Sequence, residues 1–234
     1  MPRDVQPELL DDLDPSDPQA VGSRADLRRL NFIMGHEGIL AEAMLRHLEA
    51  ATVDTRPLRV VELGAGDGTL LLGLARRWSA SGVTANVTML DRQDLVSAST
   101  RQAFAALNWS VDCVTTDVLS WLEQSSPRVD VILANLFLHH FSDPLLAKLL
   151  EKTARQTRLF VACEPRRSAL ALMAARLLWL LGCNAITRHD AVVSVRAGFA
   201  GHELSALWPA DGGWSTSEHP AGLFSHCFIA QSHG

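Results

Sequence analysis

The 234-residue sequence contains no tyrosine and only two lysines, Lys148 and Lys152, so nearly all of its positive charge is arginine. Without tyrosine, one usual aromatic acid or base is missing, and a histidine or a carboxylate must serve if any base is needed. The formal net charge is −5 and the isoelectric point is near 6.0. This balance lacks the basic footprint of a nucleic-acid-binding protein.

Close cysteine pairs and long apolar runs are also missing. The four cysteines are scattered: Cys113, Cys163, Cys183 and Cys227. They predict neither a metal finger nor a disulfide framework, and they favour a reduced, cytoplasmic compartment. The first residues lack a secretion signal, and the apolar stretch Ala169 to Leu181 is too short to span a bilayer and contains Arg176. We therefore expect a cytoplasmic protein without a membrane span.

The chain begins with prolines and acidic residues, which predict a mobile acidic tail over residues 1–22. A helical pattern follows, is interrupted at Gly35-His36-Glu37-Gly38, and then resumes. This pattern predicts a helical lid over residues 23–50. One domain is expected over residues 23–234.

From Leu58 onwards, strand-like and helical segments alternate. The predicted strands are 58–63, 86–91, 111–116, 129–135 and 157–163, and the predicted helices are 69–80, 94–107, 117–124 and 143–155. Such alternation favours an α/β fold whose parallel sheet is covered by helices on both faces. The cofactor-binding core would span residues 58–165.

The remainder of the chain has a different pattern. Residues 166–210 are expected to form substrate-side elements: a helix through Leu181, a loop over 183–200 and a shorter helix near 199–207. The helix before Leu181 is apolar nearly all round, so its outer face could meet the lid, a second subunit or an apolar substrate. Residues 211–230 predict an antiparallel hairpin at the sheet edge.

The first predicted strand runs into Gly64-Ala65-Gly66-Asp67-Gly68, and a helix follows. Glycine permits positive φ and close backbone approach, and the helix start presents unpaired N–H groups. A dinucleotide fold has glycines at the first, third and sixth positions, but here they stand at the first, third and fifth. A ligand without a pyrophosphate suits this turn better.

The next strand ends carry polar residues, where ligands bind in parallel sheets. Asp91 could accept both hydroxyls of a ribose, and Asp117 could accept from an exocyclic amine. The fourth strand ends in Asn135, followed by Leu136-Phe137-Leu138-His139-His140. The glycine turn and the two acids together describe a nucleoside pocket.

These residues resemble the motifs of class I S-adenosylmethionine-dependent methyltransferases over roughly residues 27 to 230. The first motif is similar to Glu62 through Gly68, and the run Asp130 to Asn135 looks like the fourth-strand motif. Leu30-Asn31 and the stretch from Asp190 to Phe199 look like the quinone-biosynthesis and small-molecule branch. The resemblance implies a Rossmann-like, seven-stranded, mostly parallel sheet whose seventh strand is antiparallel beside the fifth.

The resemblance also implies S-adenosyl-L-methionine as cofactor and S-adenosyl-L-homocysteine as product. Glu62 would reach the cofactor's amino end or the turn amides, and Asp67 could instead cap the following helix. The expected cofactor-binding residues are Glu62, Gly64, Ala65, Gly66, Asp67, Gly68, Asp91, Arg92, Asp117, Val118 and Asn135. The expected substrate-binding residues are Asn31, Glu164, Arg166, Asp190 and Ser194, although loop and helix-start roles explain several of them equally well.

Methyl transfer is an in-line displacement, so catalysis can rest on positioning, and a base is needed only for a protonated acceptor. His139 and His140 are the candidate bases. Because adjacent side chains are expected to point in different directions, and because no third ligand stands at a recognisable spacing, we predict no metal site.

We expect O-methylation of a small, apolar phenol or enol. The alternatives are C-methylation, a non-catalytic cofactor-binding scaffold, a dinucleotide oxidoreductase, and nucleic-acid or protein methylation. The acidic charge and the run Asn135-Leu136-Phe137-Leu138 argue against base methylation. The expected partner is a small-molecule acceptor, with no nucleic acid, and a homodimer is one candidate assembly.

Overall fold

The structure is a computed structural model that describes residues 1–48, 56–124, 128–210 and 213–233. Positions 49 and 50 of the predicted lid and positions 211 and 212 of the predicted hairpin lie outside the described residues.

The described residues form a seven-stranded sheet with the order β3-β2-β1-β4-β5-β7-β6. Its strands are β1 Leu58–Leu63, β2 Ala85–Asp91, β3 Ser110–Thr115, β4 Val129–Asn135, β5 Thr157–Pro165, β6 Trp214–Ala221 and β7 Ser225–Ser232. Strands β1 to β5 are parallel to one another, and β7 lies antiparallel between β5 and β6. This confirms the predicted Rossmann-like α/β fold class and its antiparallel C-terminal hairpin.

Helices cover both faces of the sheet. They are α1 Pro18–Met34, α2 His36–Leu48, α3 Thr69–Ser79, α4 Ala98–Ala106, α5 Val118–Leu122, α6 Asp143–Gln156, α7 Ala169–Arg176, α8 Ala185–Ala197 and α9 Glu203–Leu207. Successive strand side chains point to opposite faces, so Val60 joins one core with α2, α3 and α4, while Val61 joins the other with α5 and α6. The near-continuous apolar strands follow from this double burial.

The lid forms two helices, as the interrupted pattern predicts. Gly35 ends α1 with a φ of +71°, a left-handed conformation that favours glycine, and α2 begins at the next residue. However, α1 starts at Pro18 rather than near residue 23, because Asp17 caps it by accepting from the N–H of Gln19 and proline occupies its first turn. The lid is therefore longer than predicted.

The first 17 residues do not form the free tail that their composition predicts. They contain a 3-10 helix at Leu9–Asp12, and they lie against α8 and the 3-10 turn Leu138–His140 that follows β4. The Arg3 guanidinium donates to Ala197 O at 2.8 Å and to Phe141 O at 2.9 Å, and it lies 4.6 Å from the centroid of the Phe199 ring. Polar contacts to distant residues, rather than apolar burial, hold this segment in place, so its composition does not indicate that it is ordered.

The region between the fifth and sixth strands also differs from its prediction. The predicted loop 183–200 is mostly helix α8, which Asn184 caps by accepting from the N–H of Thr187. The predicted helix through Leu181 ends at Arg176, and a 3-10 turn follows over Leu178–Leu181. Packing of α8 against α7, which local sequence does not reveal, accounts for the difference.

Candidate active site

The glycine turn connects β1 to α3 with its three glycines at positive φ: +69° at Gly64, +54° at Gly66 and +73° at Gly68. A Cβ on Gly64 would lie 2.3 Å from a ring carbon of Phe137, whereas a Cβ on Gly66 would meet nothing within 4 Å. Gly66 therefore faces open space where a ligand can approach the backbone. A Cβ on Gly68 would lie 2.9 Å from the sulfur of Met89, so Gly68 faces the core.

Carboxylates fix the shape of this turn. Asp91, at the end of β2, accepts from the N–H of Gly66 at 2.8 Å and from the N–H of Gln93 at 3.0 Å. Asp67 accepts from the N–H and the hydroxyl of Thr69 and pairs with Arg28 of α1 at 2.6 Å. The capping alternative for Asp67 is thus observed, and its second oxygen ties the turn to the lid.

A cavity of about 1240 Å³ lies above the carboxyl ends of the parallel strands, beneath α1 and α7. Of the expected cofactor-binding residues, those on its wall are Glu62, Gly64, Ala65, Gly66, Asp67, Asp91, Arg92, Asp117, Val118 and Asn135. Gly68 is the exception, because it packs on Met89. Asp117 also caps α5, accepting from the N–H of Ser120 at 3.0 Å.

Four residues of the cavity wall carry buried polar atoms without a hydrogen-bond partner among the described residues. The atoms are Asn31 Oδ1, His36 Nδ1, Glu62 Oε2 and Asn135 Oδ1. An unpaired buried polar atom costs about 1–3 kcal/mol. A polar ligand in the cavity would satisfy such atoms, so this wall fits the charged amino-acid end of an S-adenosylmethionine-like molecule.

Two of these residues have strongly perturbed acidities. Burial raises the pKa of Glu62 well above its ordinary value, and the nearby Asp67 and Asp91 raise it further. Burial lowers the pKa of His36 to about 4, so its ring is neutral, and its Nε2 lies 2.8 Å from Ser225 Oγ. Sequence reasoning missed His36, although the break in the lid pattern falls on it.

His139 and His140 lie on a 3-10 turn directly after β4, and both line the cavity. The prediction that their side chains point in different directions is wrong. Their ring centroids are 4.3 Å apart with an interplanar angle of 31°, because a 3-10 turn lacks the side-chain alternation of a strand.

Carboxylates flank the His139 ring on both sides. Its Nδ1 is 2.8 Å from Glu164 Oε2, and its Nε2 is 3.2 Å from Glu8 Oε1. Glu164 also accepts from the N–H groups of Phe137 at 3.0 Å and Leu138 at 2.9 Å, and Glu8 accepts from the Ser194 hydroxyl. The N-terminal segment thus supplies a functional candidate, Glu8, that sequence reasoning missed.

The charges in this cluster follow from the contacts. Burial alone would lower the pKa of His139, but the hydrogen bonds and charges of Glu164 and Glu8 outweigh it and raise the pKa to about 9. Burial and the positive His139 lower the pKa of His140. Burial alone would raise the pKa of Glu8, but the contacts of Glu8 with the two histidines and Ser194 lower this pKa to about 2.

The structure separates the expected substrate-binding residues into two groups. Asn31 and Ser194 line the cavity, whereas Glu164, Arg166 and Asp190 are not among its lining residues. Glu164 is fully buried behind His139. Asp190 accepts from the N–H groups of Leu9 and Leu10, so it holds the N-terminal segment instead of facing the cavity.

Comparisons with known proteins agree with this geometry. A family model described as "Methyltransferase domain" matches residues 60–158. The plantazolicin methyltransferase BpumL, whose structure contains SAH, superposes with a TM-score of 0.65 at 14% identity over 93% of this chain and 92% of that chain. Residues 60–158 are thus similar to a methyltransferase domain. The superposition shows that the shared fold extends beyond residues 60–158.

Curated relatives match this chain over shorter stretches. A tRNA1(Val) (adenine(37)-N6)-methyltransferase of Escherichia coli is 34% identical over 82 residues, which are 33% of this chain and 31% of that protein. A trans-aconitate 2-methyltransferase of Mycobacterium tuberculosis is 33% identical over 84 residues, 36% of this chain and 28% of that protein. The matched stretches span less than a third of either relative.

No helix in the described ranges is long and apolar enough to cross a membrane.

Proposed function

We propose that this protein transfers a methyl group from S-adenosylmethionine to a small, apolar acceptor, with an oxygen nucleophile preferred. One observation carries the proposal: a single cavity joins the open side of the glycine turn to the paired histidines. A cofactor held at the turn and an acceptor held beside the histidines would thus share one cavity.

The residues of this chain would hold the cofactor along the sheet edge. When bound, S-adenosylmethionine supplies an electrophilic methyl group on a positively charged sulfur. Asp91 would accept from the ribose hydroxyls, and Asp117 with Val118 would bind the adenine. Glu62 would pair with the amino group, and the open backbone at Gly66 would permit close approach.

The outer part of the cavity supports an apolar acceptor. Ile33, Leu177, Leu180 and Leu181 line it, and each is at least 43% exposed. Exposed leucines at a cavity mouth remain costly unless an apolar molecule covers them. The preference for a phenol or enol oxygen over carbon remains our proposal, with C-methylation or a non-catalytic scaffold as the alternatives. A second copy of the chain could instead cover these exposed apolar residues, and light scattering, which measures the molar mass in solution, tests for such a homodimer.

His139 and His140 remain the candidate general bases. His139 is positively charged with both ring nitrogens against carboxylates, so Nε2 must lose its proton and Glu8 must move before this nitrogen can accept a proton from an acceptor. The lowered pKa of His140 makes it the neutral imidazole of the pair. We expect His139→Ala and His140→Ala, compared across pH with an identified acceptor, to reduce turnover. Full turnover by both variants would exclude a base role for the pair.

Calorimetry with S-adenosylhomocysteine tests the proposal directly. The wild-type protein should bind it and should not bind NAD. Asp91→Ala should weaken binding at least about tenfold, because a charge-assisted hydrogen bond is worth about 1.5–3 kcal/mol. Asp112→Asn, at an exposed acid of the adjacent strand β3, is the matched control. Binding of NAD in preference to S-adenosylhomocysteine would overturn the methyltransferase assignment.

A further inference from the structure

We propose that Glu8, His139 and His140 form a binding site for one first-row divalent metal ion, such as Zn²⁺ or Fe²⁺. Each of the three residues offers one ligand atom, and these atoms all lie within 4.8 Å of one another. Two imidazoles and one carboxylate form a donor set that such ions favour, and three protein ligands leave coordination positions open.

The distances suit the proposed ion closely. Metal–ligand bonds of about 2.0–2.2 Å at tetrahedral angles place neighbouring ligand atoms roughly 3–3.5 Å apart. His139 Nε2 and Glu8 Oε1 are already 3.2 Å apart. The ligand atom of His140 lies within 4.8 Å of the other two, so its side chain must move to complete the set. Its ring already lies beside that of His139.

The surroundings of His139 match the support that metal-binding histidines receive. A metal-ligating imidazole usually donates its other N–H to a carboxylate, which fixes the tautomer and the ring orientation. Glu164 provides this contact to Nδ1 at 2.8 Å, and the backbone N–H groups of Phe137 and Leu138 hold Glu164 in place. Nε2, which faces Glu8, is thereby left as the ligating nitrogen.

The local charge also favours a cation. Three carboxylates contact the two imidazoles: Glu8 and Glu164 on His139, and Asp11, whose Oδ2 is 3.5 Å from His140 Nδ1. The nearby Arg3 directs its guanidinium to Asp143 and to backbone carbonyls rather than to these acids. Arg92 is close enough to Asp11 for its charge to act on that carboxyl.

The role of the ion rests on the proposed function. Glu8, His139 and His140 all line the cavity, so the open coordination positions would face the acceptor. A cation there would favour a deprotonated acceptor oxygen, whose proton is lost to solvent. That oxygen then forms a bond to the methyl carbon, while the carbon–sulfur bond breaks and leaves its electron pair on sulfur.

The test is a metal titration of untagged, full-length, chelator-treated protein with Zn²⁺ by calorimetry and with Co²⁺ by visible absorption. We expect one ion per chain. Glu8→Gln, His139→Ala and His140→Ala should each weaken binding at least about tenfold, and Glu164→Gln about 10–100-fold. Asp12→Asn, on the same segment, and His219→Ala, on exposed β6, should bind as the wild type does.

A second readout follows the segment that carries Glu8. Zn²⁺ should slow hydrogen exchange at the amides of Leu9 and Leu10, because a bound ion would hold Glu8 in place, and Glu8→Gln should lose this effect. A merely structural ion pair predicts no change on adding Zn²⁺. The inference is overturned if the wild type takes up no more metal than the Glu8/His139/His140 triple variant. It is also overturned if each single variant binds the metal as tightly as the wild type does.

S-adenosylhomocysteine calorimetry on the same metal-free samples separates the two proposals. The cofactor end of the cavity is built from other residues, so the metal-site variants should still bind S-adenosylhomocysteine, which also shows that they are folded. Cofactor binding without metal uptake overturns the metal site alone. Metal uptake without cofactor binding overturns the proposed function and leaves the site in place.

Discussion

Glu62 combines a structural cost with a binding role at a single residue. Its folded-state pKa is raised, so between its ordinary value of 4.5 and the raised value the folded protein holds a proton that the unfolded chain releases. Stability therefore falls as pH rises through this window, by up to about 1.4 kcal/mol per pH unit. Glu62→Gln should remove this loss, raising the melting temperature at pH 8 and flattening its pH dependence in calorimetric scans from pH 5 to 8.

The same substitution should weaken S-adenosylhomocysteine binding, because a carboxamide cannot form an ion pair with the ligand's ammonium group. Wild-type affinity should increase with pH as Glu62 ionises, and the variant should lose this increase. Glu42→Gln, at an exposed acid of α2, is the control. Equal affinity of the wild type and Glu62→Gln would contradict the assignment of Glu62 to the amino end.

The glycines of the turn should respond differently to alanine. Both Gly64 and Gly66 have positive φ, which costs a residue with a Cβ about 1–2 kcal/mol. At Gly64 the new methyl group also meets the Phe137 ring at 2.3 Å, whereas at Gly66 it meets nothing within 4 Å. Chemical denaturation should therefore show Gly64→Ala to be the less stable variant, and calorimetry should show Gly66→Ala losing cofactor affinity. A similar loss of stability in both would show that the ring contact is unimportant.

At the scale of elements, the N-terminal segment depends on Arg3. Arg3→Ala removes contacts to Ala197 O, Phe141 O and the Phe199 ring, so the backbone of residues 3–12 should exchange hydrogen faster. Arg3→Lys should recover little of the protection from exchange, because a lysine ammonium cannot form the forked contacts of a guanidinium. Arg46→Ala, at an exposed arginine of α2, is the control for mass-spectrometric exchange. Unchanged exchange in Arg3→Ala would show that other contacts hold the segment.

The elements that sequence predicts best are those with a strong local pattern. Strand β1 is predicted to the residue, and β4 also begins at Val129 and ends at Asn135, because a short, mostly apolar run rich in valine, isoleucine and leucine marks each buried strand. The sequence favours a loop where helix α8 forms, because the residues of α8 present no clear apolar stripe and its packing on α7 and the N-terminal segment comes from distant positions. Tertiary contacts override a weak local pattern there.

At the scale of the molecule, the two halves of the cavity differ in how far sequence predicts them. The cofactor half is built from consecutive strand ends, whose alignment follows from a parallel sheet, so Asp91 and Asn135 are found from topology alone. The acceptor half joins residues that are far apart in the chain. Glu8 and His139 are 131 positions apart, and no local pattern indicates that they meet.

The whole molecule should report cofactor binding through its stability. The proposed ligand contacts residues of the sheet edge and the lid in the folded state alone, so at 100 times its Kd it should stabilise the protein by about 2.7 kcal/mol. For a chain of this size that corresponds to a rise of roughly 5–10 °C in Tm. Asp91→Asn is a sharp control, because its amide oxygen can still accept from the N–H of Gly66 and preserve the turn while its hold on the ribose weakens. S-adenosylhomocysteine should therefore raise the Tm of the wild type far more than that of Asp91→Asn, and NAD should raise neither. An equal rise in both proteins would place the ligand away from the end of β2.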